Sequence, residues 1–451
     1  MTNRYRVATV FLLGFFIDCI NIFMPAVAMP RIAASFAIDN ANSAWVGNAY
    51  ILGLALVMPV STWLAAQWGA RKLLSASMLG FAVAAWGCGQ ADGFAGLIAW
   101  RLLQGMAGGL LIPVGQALTF NLFQGPERAR ISTLVMAVAL IAPALSPSLG
   151  GLMVDRGSWP WVFHANIPLA LLAAGLAWLW IRDVPGTAQA RPDFLGLLLV
   201  SAALAALLLG MSLYGAGHGL AWALPCLALG AVCALLYRRH YRRTNSAILE
   251  LDLLGSARLK VSMWIYQAIP GIFTGVNLLN LFYLQDTLHL SAQASGLFML
   301  VYAAGAFAAM LMVGRAYNRA GARRLFLLGM LLHSLGIALL VLVDSARDGH
   351  LLILAYALMG IGGGIGANTA QTTALLDFTG QRTQQASVLW NLNRQMAFSV
   401  GAALLLMVFN LLLDRLGSTL AYHLSFALAA LLGLAPLARL HTLPKENPQH
   451  A

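Results

Sequence analysis

Fourteen stretches of about twenty apolar residues, the length an α-helix needs to cross the hydrocarbon core of a bilayer, occupy most of this 451-residue chain. They run Val7–Ala28, Trp45–Ala66, Leu73–Ala91, Ala95–Phe120, Ile131–Val154, Val162–Ile181 and Phe194–Tyr214. Leu220–Tyr237, Val261–Leu284, Gly296–Gly314, Leu325–Val343, Leu351–Leu376, Ser387–Leu413 and Leu420–Ala438 complete the series. Inside hydrocarbon every backbone N–H and C=O must be satisfied within the protein, and runs of this length meet that demand as helices. The expected fold is therefore an all-α integral membrane protein. With 60% hydrophobic and 9% charged residues, no segment is polar enough to form a soluble domain, where about 25% charge is usual. The first run follows Arg4 and Arg6 as a secretory signal would. It carries Asp18 and no small-residue cleavage site, so a retained span is expected.

A formal charge of +12 invites a nucleic-acid partner until the basic residues are sorted by side. With the N-terminus in the cytoplasm, 21 of the 27 Lys and Arg fall on that side. Four (Arg31, Arg156, Arg347, Arg415) fall on the other, and Arg101 and Arg394 lie within spans. Acidic residues outside the spans divide seven and seven, as expected of a rule that counts basic residues only. The asymmetry predicts a multi-pass protein of the inner (cytoplasmic) membrane with both termini inside, and it removes the need for nucleic acid. Cys19, Cys88, Cys226 and Cys233 lie in apolar runs without metal-ligand spacing, so no metal is expected. Gly360-Ile361-Gly362-Gly363-Gly364-Ile365-Gly366 has the composition of a nucleotide-binding loop but lies in an apolar run, where small residues serve close helix packing. No P-loop is present, so ATP is not the expected energy source, and no cofactor is implied.

The chain also repeats itself. Gly69-Ala70-Arg71-Lys72-Leu73 returns 252 residues later as Gly321-Ala322-Arg323-Arg324-Leu325, each time between two apolar runs. Duplicated halves around a central axis are how many secondary transporters build a site reachable from either side. The first turn follows the second span and its copy follows the tenth, so two spans are inserted between halves. Phe194–Tyr214 and Leu220–Tyr237, joined by the short turn Gly215–Gly219, are the candidates. The expected organisation is a six-helix half over 1–182, two inserted helices over 183–243 and a second six-helix half over 244–451. Arg238-Arg239-His240-Tyr241-Arg242-Arg243 reads as a topology anchor at anionic headgroups.

Several motifs then occur in a consistent order. Arg101-Leu102-Leu103-Gln104-Gly105 with Gly108-Gly109 matches R-x-x-Q-G-x-x-x-G in the fourth span. Ser146-Pro147 with Gly150-Gly151 is close to G-P-x-x-G-G in the fifth. Trp159-Pro160-Trp161-Val162-Phe163 and Asn166-Ile167-Pro168 open the sixth, Trp45-Val46, Ala49-Tyr50 and Pro59 mark the second, and Arg394-Gln395 marks the thirteenth. In these residues the chain resembles the major facilitator superfamily, specifically its fourteen-span drug:proton antiporter branch, over nearly its whole length. The resemblance implies the major facilitator fold, two pseudo-symmetric six-helix halves plus two inserted helices. Two departures stand out. The acid usual in the turn after the second span is absent, with Gln67 and Gly69 there and Asn318 in the second copy. The D-x-T-x-x-N-x-A-x-P pattern of the first span, anchored on Ala28 and Pro30, puts Asn21 at the acidic position and Ala26 at the Asn.

Asp18, three residues earlier on the same helical face, is the one acid of fifteen deep in a span. It sits about 16 Å beyond Val7 at 1.5 Å per residue, near mid-bilayer, where ionised acids cost roughly 2.5–3.5 kcal/mol and commonly carry protons. Asp18 and the fixed charge of Arg101 form the expected proton-coupling pair; a static ion pair locking two helices is the plainer alternative. Asn21, Asn48, Gln104, Gln267, Asn277, Asn280, Asn368 and Asn391, with Gln371 and Asn393, fall in spans that line the cavity in the resembling family, and each is a candidate for cargo hydrogen bonding. Phe15, Phe23, Met24, Tyr266, Phe273 and Phe282 are candidates for an adaptable apolar wall. Pro143, Pro147, Gly150 and Gly151 are expected to shape the fifth helix. Gly69, Arg71, Gly321 and Arg323 are expected to form the cytoplasmic turns, and Arg394 to gate or anchor its helix. His164 and His333 are titratable in principle but carry no assigned role.

The resemblance implies a proton-coupled secondary transporter exporting amphiphilic or cationic small molecules by alternating access, working as a monomer, with a periplasmic adaptor as a conceivable partner. The rival is a dedicated carrier of one metabolite such as a siderophore, organic acid or sugar derivative. An enzyme would need a nucleophile–base constellation, a sensor would need a soluble domain, and neither is visible; a channel would not need a proton-binding group.

Overall fold

A computed structural model describes residues 3–38, 45–123, 126–182, 193–215, 219–244, 247–290 and 292–444, and every regular element among them is helical. In chain order they are α1 (Asn3–Phe36), α2 (Trp45–Trp68), α3 (Ala70–Gly89), α4 (Phe94–Leu122), α5 (Pro126–Arg156), α6 (Trp161–His164) and α7 (Asn166–Trp180). These are followed by α8 (Phe194–Gly215), α9 (Leu220–Tyr241), α10 (Ala257–Tyr266) and α11 (Ile272–Phe282). The last four are α12 (Ala292–Leu339), α13 (Gly349–Thr373), α14 (Gln381–Leu416) and α15 (Ser418–Leu434). Apart from Gln267, which opens a π-helical turn between α10 and α11, the polar candidates of the sequence sit on these helices, not loops.

Twelve segments among the described residues are long and apolar enough to cross a membrane, against the fourteen expected. Two differences separate the counts. Gly296–Gly314 and Leu325–Val343 are joined in α12, whose apolar segment Leu297–Leu342 counts once. The Ile131–Val154 stretch lies in α5, which is not among the twelve. Pro143 and Pro147 fall within α5, and their side chains lie outside the described residues.

The sequence repeat is also a repeat of backbone conformation. α12 is broken at Gly321, with φ 75° and ψ 157°; Gly69, between α2 and α3, has φ 82° and ψ 149°. Both values lie in the left-handed half of the map that only glycine enters without strain. At 48 residues α12 would run to about 72 Å as one straight helix, more than twice a hydrocarbon core. The glycine turn breaks it into two helical segments.

The chain forms two compact units. One holds Met1–Phe123, Val138–Asp252 and Phe378–Leu392; the other holds Gln124–Ala137, Leu253–Asp377 and Asn393–Ala451. The pair read as inserted belongs to the first, where the Ser201 hydroxyl of α8 donates to the Leu56 carbonyl of α2 at 3.0 Å. Gly210 and Gly230 let α8 and α9 close on each other.

Within the first unit, glycines bring α4 onto α2. A methyl group on Gly105 would collide with the Tyr50 carbonyl oxygen, one on Gly53 with the Leu102 carbonyl, and one on Gly109 would lie 2.7 Å from the Leu54 carbonyl. Arg101, Gly105 and Gly109 share one face at four-residue spacing, and they meet Val46, Tyr50 and Leu54 at the same spacing on α2. This small-residue seam sets the distance at which Arg101 crosses to its neighbours. Gly105→Val should lower stability by about 1–3 kcal/mol through overpacking. Gly96→Ala, where a methyl meets nothing within 4 Å, should be neutral or stabilising by up to about 1 kcal/mol. Thermal unfolding of purified protein in detergent measures both.

Candidate functional site

Arg101 is fully buried and held by neutral groups. Its Nε donates to the Val46 carbonyl at 2.8 Å, one terminal nitrogen donates to Gln104 Oε1 at 2.8 Å and to Asn21 Oδ1, and the other donates to the Asn21 carbonyl at 3.2 Å. That last acceptor exists for a local reason. Pro25, four residues on in α1, has no N–H to give the Asn21 carbonyl, so the lone pair is open to the guanidinium. The Arg101 guanidinium carbon also lies 4.5 Å from the Tyr50 ring centre and 5.5 Å from that of Phe163. Four charge-assisted bonds at roughly 1.5–3 kcal/mol each and two ring faces together offset a desolvation penalty of several kcal/mol.

Asp18, 2% exposed, accepts a hydrogen bond of 2.6 Å from the Tyr50 hydroxyl. Tyr50 therefore stands between the two charges, donating its hydroxyl to the carboxylate and presenting its ring to the guanidinium. Gln104 is buried as well and accepts a long contact of 3.7 Å from the Cys88 thiol. Asn48 is half-buried on α2. Asn391, about three turns into α14, donates to Gln116 Oε1 at 2.5 Å and to the Ser387 carbonyl at 2.8 Å. Gly150 packs on Met24, where a methyl would lie 3.0 Å from Cγ, and Gly151 has room. Arg71 lies over the Trp178 ring at 4.8 Å.

The other candidates belong to the second unit. Gln267 opens a π-helical turn over Gln267–Gly271 that contains Pro270, and its amide donates to Asn393 Oδ1 at 3.0 Å. Such turns arise where a proline interrupts the helical ladder. Asn280 donates to the Tyr356 hydroxyl at 2.8 Å, and Asn277 is half-buried on α11. Asn368 donates to Thr133 Oγ1 at 3.0 Å and to the Met310 carbonyl at 3.1 Å. Arg394 is buried at 6% exposure, while Arg323 is exposed.

Of the sequence candidates, the structure brings Asp18, Asn21, Arg101 and Gln104 into one cluster. It disperses the amides of the second unit among separate helix contacts. Sequence reasoning named Tyr50 and Phe163 only within motifs and gave them no role in the site, and it missed Gln116 and Tyr356. Tyr50 carried a usable signal, because the 252-residue repeat maps it onto Tyr302.

A family model described as Major Facilitator Superfamily matches residues 11–395 and 263–451. The chain is 30% identical over 408 residues to a multidrug resistance protein B homolog of Mycobacterium tuberculosis, covering 89% of this chain and 75% of that one. It is 28% identical over 394 residues to a putative multidrug resistance protein MdtD of Cronobacter sakazakii, covering 87% and 83%. Among solved structures, the human organic anion transporter MFSD10 (TETRAN) superposes with a TM-score of 0.67 at 16% identity, over 98% of this chain and 100% of that one. The proton:xylose symporter XylE superposes with a TM-score of 0.65 at 13% identity, over 96% and 95%. At those identities the structural likeness shows the fold alone.

Tyr50→Phe keeps the ring under Arg101 and removes the hydroxyl bonded to Asp18. It should cost about 1–3 kcal/mol of stability, as expected for a buried acceptor that loses its donor. Tyr50→Ala, which also removes the ring, should cost more, about 3–5 kcal/mol. Thermal melts of the two variants against the unchanged protein give the comparison.

Proposed function

The chain belongs to the Major Facilitator Superfamily, and from that premise we propose that it exports amphiphilic or cationic small molecules in exchange for protons by alternating access. Family and fold point to a transporter rather than an enzyme. The observation that carries the coupling scheme is the buried link from Asp18 through Tyr50 to Arg101. When Asp18 is ionised, Tyr50 donates to it, and the carboxylate and guanidinium share one tyrosine. When Asp18 takes a proton, its new O–H competes for the donor role, the Tyr50 hydroxyl turns to accept, and the tie between α1 and α2 weakens. The proposed cycle protonates Asp18 on the outer side as cargo leaves and deprotonates it on the inner side, which restores affinity.

Polyspecific export, rather than a dedicated carrier of one metabolite, is favoured because the curated relatives at 28–30% identity are named multidrug resistance proteins. The proposal includes fourteen spans, both termini on the cytoplasmic side of the inner membrane, and two six-helix halves over 1–182 and 244–451 with an inserted pair over 183–243. The basic-residue asymmetry and the repeated glycine turns support it. Hydrogen bonding of cargo by the amides and gating by Arg394 and the glycine turns are further parts of the same reading.

Asp18→Asn is the direct test. In inverted membrane vesicles under an imposed pH gradient, proton-driven transport of a cationic dye should fall by on the order of 10²-fold, the loss expected of an essential proton-transfer group, with folding retained. Gradient-driven transport that persists at full rate in the Asn variant would overturn the scheme. Tolerance tests against a panel of toxic compounds separate the cargo readings: a polyspecific exporter shifts several, a dedicated carrier one or none.

A further inference from the structure

The second unit rebuilds the packing around Tyr50 with a different ionisable group in it. The 252-residue offset that carries Gly69 to Gly321 also carries Tyr50 to Tyr302 and Phe81 to His333. An offset of 255 residues carries Gly105 and Gly108 to Gly360 and Gly363. The equivalences hold in space. Methyl groups on Gly105 and Gly360 would collide with the carbonyls of Tyr50 and Tyr302, respectively. On Gly108 and Gly363 they would lie 3.1 Å and 2.9 Å from the hydroxyls of the same two tyrosines. Phe81 meets the Tyr50 ring edge-on at 6.4 Å. At the matching place in the second unit stands a histidine that is 0% exposed.

Its geometry selects a tautomer. His333 Nδ1 lies 3.0 Å from the Met359 carbonyl, and a carbonyl only accepts, so Nδ1 carries the hydrogen. In the neutral ring Nε2 is then a bare acceptor, and it is buried with no hydrogen-bond partner among the described residues. An unpaired acceptor in a membrane helix is costly, and core packing alone would be served by the phenylalanine of the other copy.

We infer that His333 Nε2 is a second proton-binding site of the transporter, built into the second unit and distinct from Asp18. Water on the exposed side supplies the proton, the imidazole becomes imidazolium with Nδ1–H still donated to Met359, and the same proton returns to water on the other side. The surroundings are mostly aromatic and small. Phe273 from α11 meets the imidazole edge-on at 6.0 Å and stacks on Tyr302 at 4.0 Å. α13 contributes Met359, Gly362 and Gly363. Beside His333 on α12, Ser334 faces Gly433 of α15. The packed elements carry phenols. Tyr302 is on the first part of α12, Tyr266 of α10 is within electrostatic range of it, and Tyr356 of α13 is bonded to Asn280. No carboxylate is recorded against the imidazole among the described residues, so a bound proton is held without a neutralising partner and is readily released.

Two variants test this, read by proton binding as well as transport. His333→Asn keeps a donor for Met359 without a titratable nitrogen. His333→Phe installs the residue of the other copy and guards against misfolding. In ¹⁵N-histidine spectra of the purified protein in lipid nanodiscs, the resonances lost in both variants should show the Nδ1–H tautomer at neutral pH and protonation of Nε2 on acidification. Proton uptake by the detergent-solubilised protein over the same titration should fall by one per chain in either variant. Dye transport should lose part of its pH dependence while dye binding is retained. A His333 resonance that keeps its neutral tautomer through the acid range, with unchanged uptake in both variants, would overturn the inference and leave a static packing role. The titration needs no cargo and no Asp18, so a failure of the Asp18 scheme and a failure of this site are separately visible.

Discussion

Burying a guanidinium inside a helix bundle dictates what every neighbour of Arg101 must be. Each contact has to be an acceptor or a ring face, and the first unit supplies them from four elements. Asn21 comes from α1, Val46 and Tyr50 from α2, Gln104 from α4 itself, and Phe163 from the short α6. Two backbone features make this feasible. Pro25 leaves the Asn21 carbonyl open to an outside donor. Gly105 and Gly109 let α4 approach α2 closely enough for Arg101 to reach the Val46 carbonyl. The R-x-x-Q-G-x-x-x-G pattern is therefore one device, in which the glycines set the distance, the Arg supplies the charge and the Gln takes up one of its donors.

In the proposed cycle the same arrangement makes the carboxylate next door responsive. Asp18 is bonded to a tyrosine whose ring is committed to the cation, so gain or loss of a proton on Asp18 alters a hydrogen bond within a network already balanced around one charge. In a medium of low dielectric such networks are strongly coupled, and partial satisfaction is expensive. A fully neutralised, rigid ion pair would resist change. A carboxylate and a guanidinium linked through one phenol have a second hydrogen-bonding arrangement within reach of a single proton.

The internal repeat conserves packing more faithfully than polar content. Gly69 and Gly321 adopt nearly the same backbone angles, and Gly105 and Gly360 face corresponding carbonyls. The positions that carry chemistry have diverged. The second unit has Tyr356 bonded to Asn280 and His333 against Phe273. Close helix contact depends on backbone shape and small residues, and both copies must preserve it. Polar groups are few and individually costly in hydrocarbon.

The helical class, most span positions, the location of the glycine turns and the two outlying charges were legible in the chain itself. Twenty-residue apolar runs have one solution in a bilayer, a positive-φ turn calls for glycine, and an Asp or Arg in hydrocarbon stands out by its cost. The partners of those charges were not legible. Asp18 and Arg101 read as a pair, but only the packed structure puts Tyr50 between them, because helix rotation and approach decide which faces meet and neither is encoded at helical spacing. The same reason scattered the amides. Asn21 and Gln104 joined Arg101, whereas Asn280, Asn368 and Gln267 serve separate contacts. Periodicity says which residues share a face; only tertiary packing decides what that face touches.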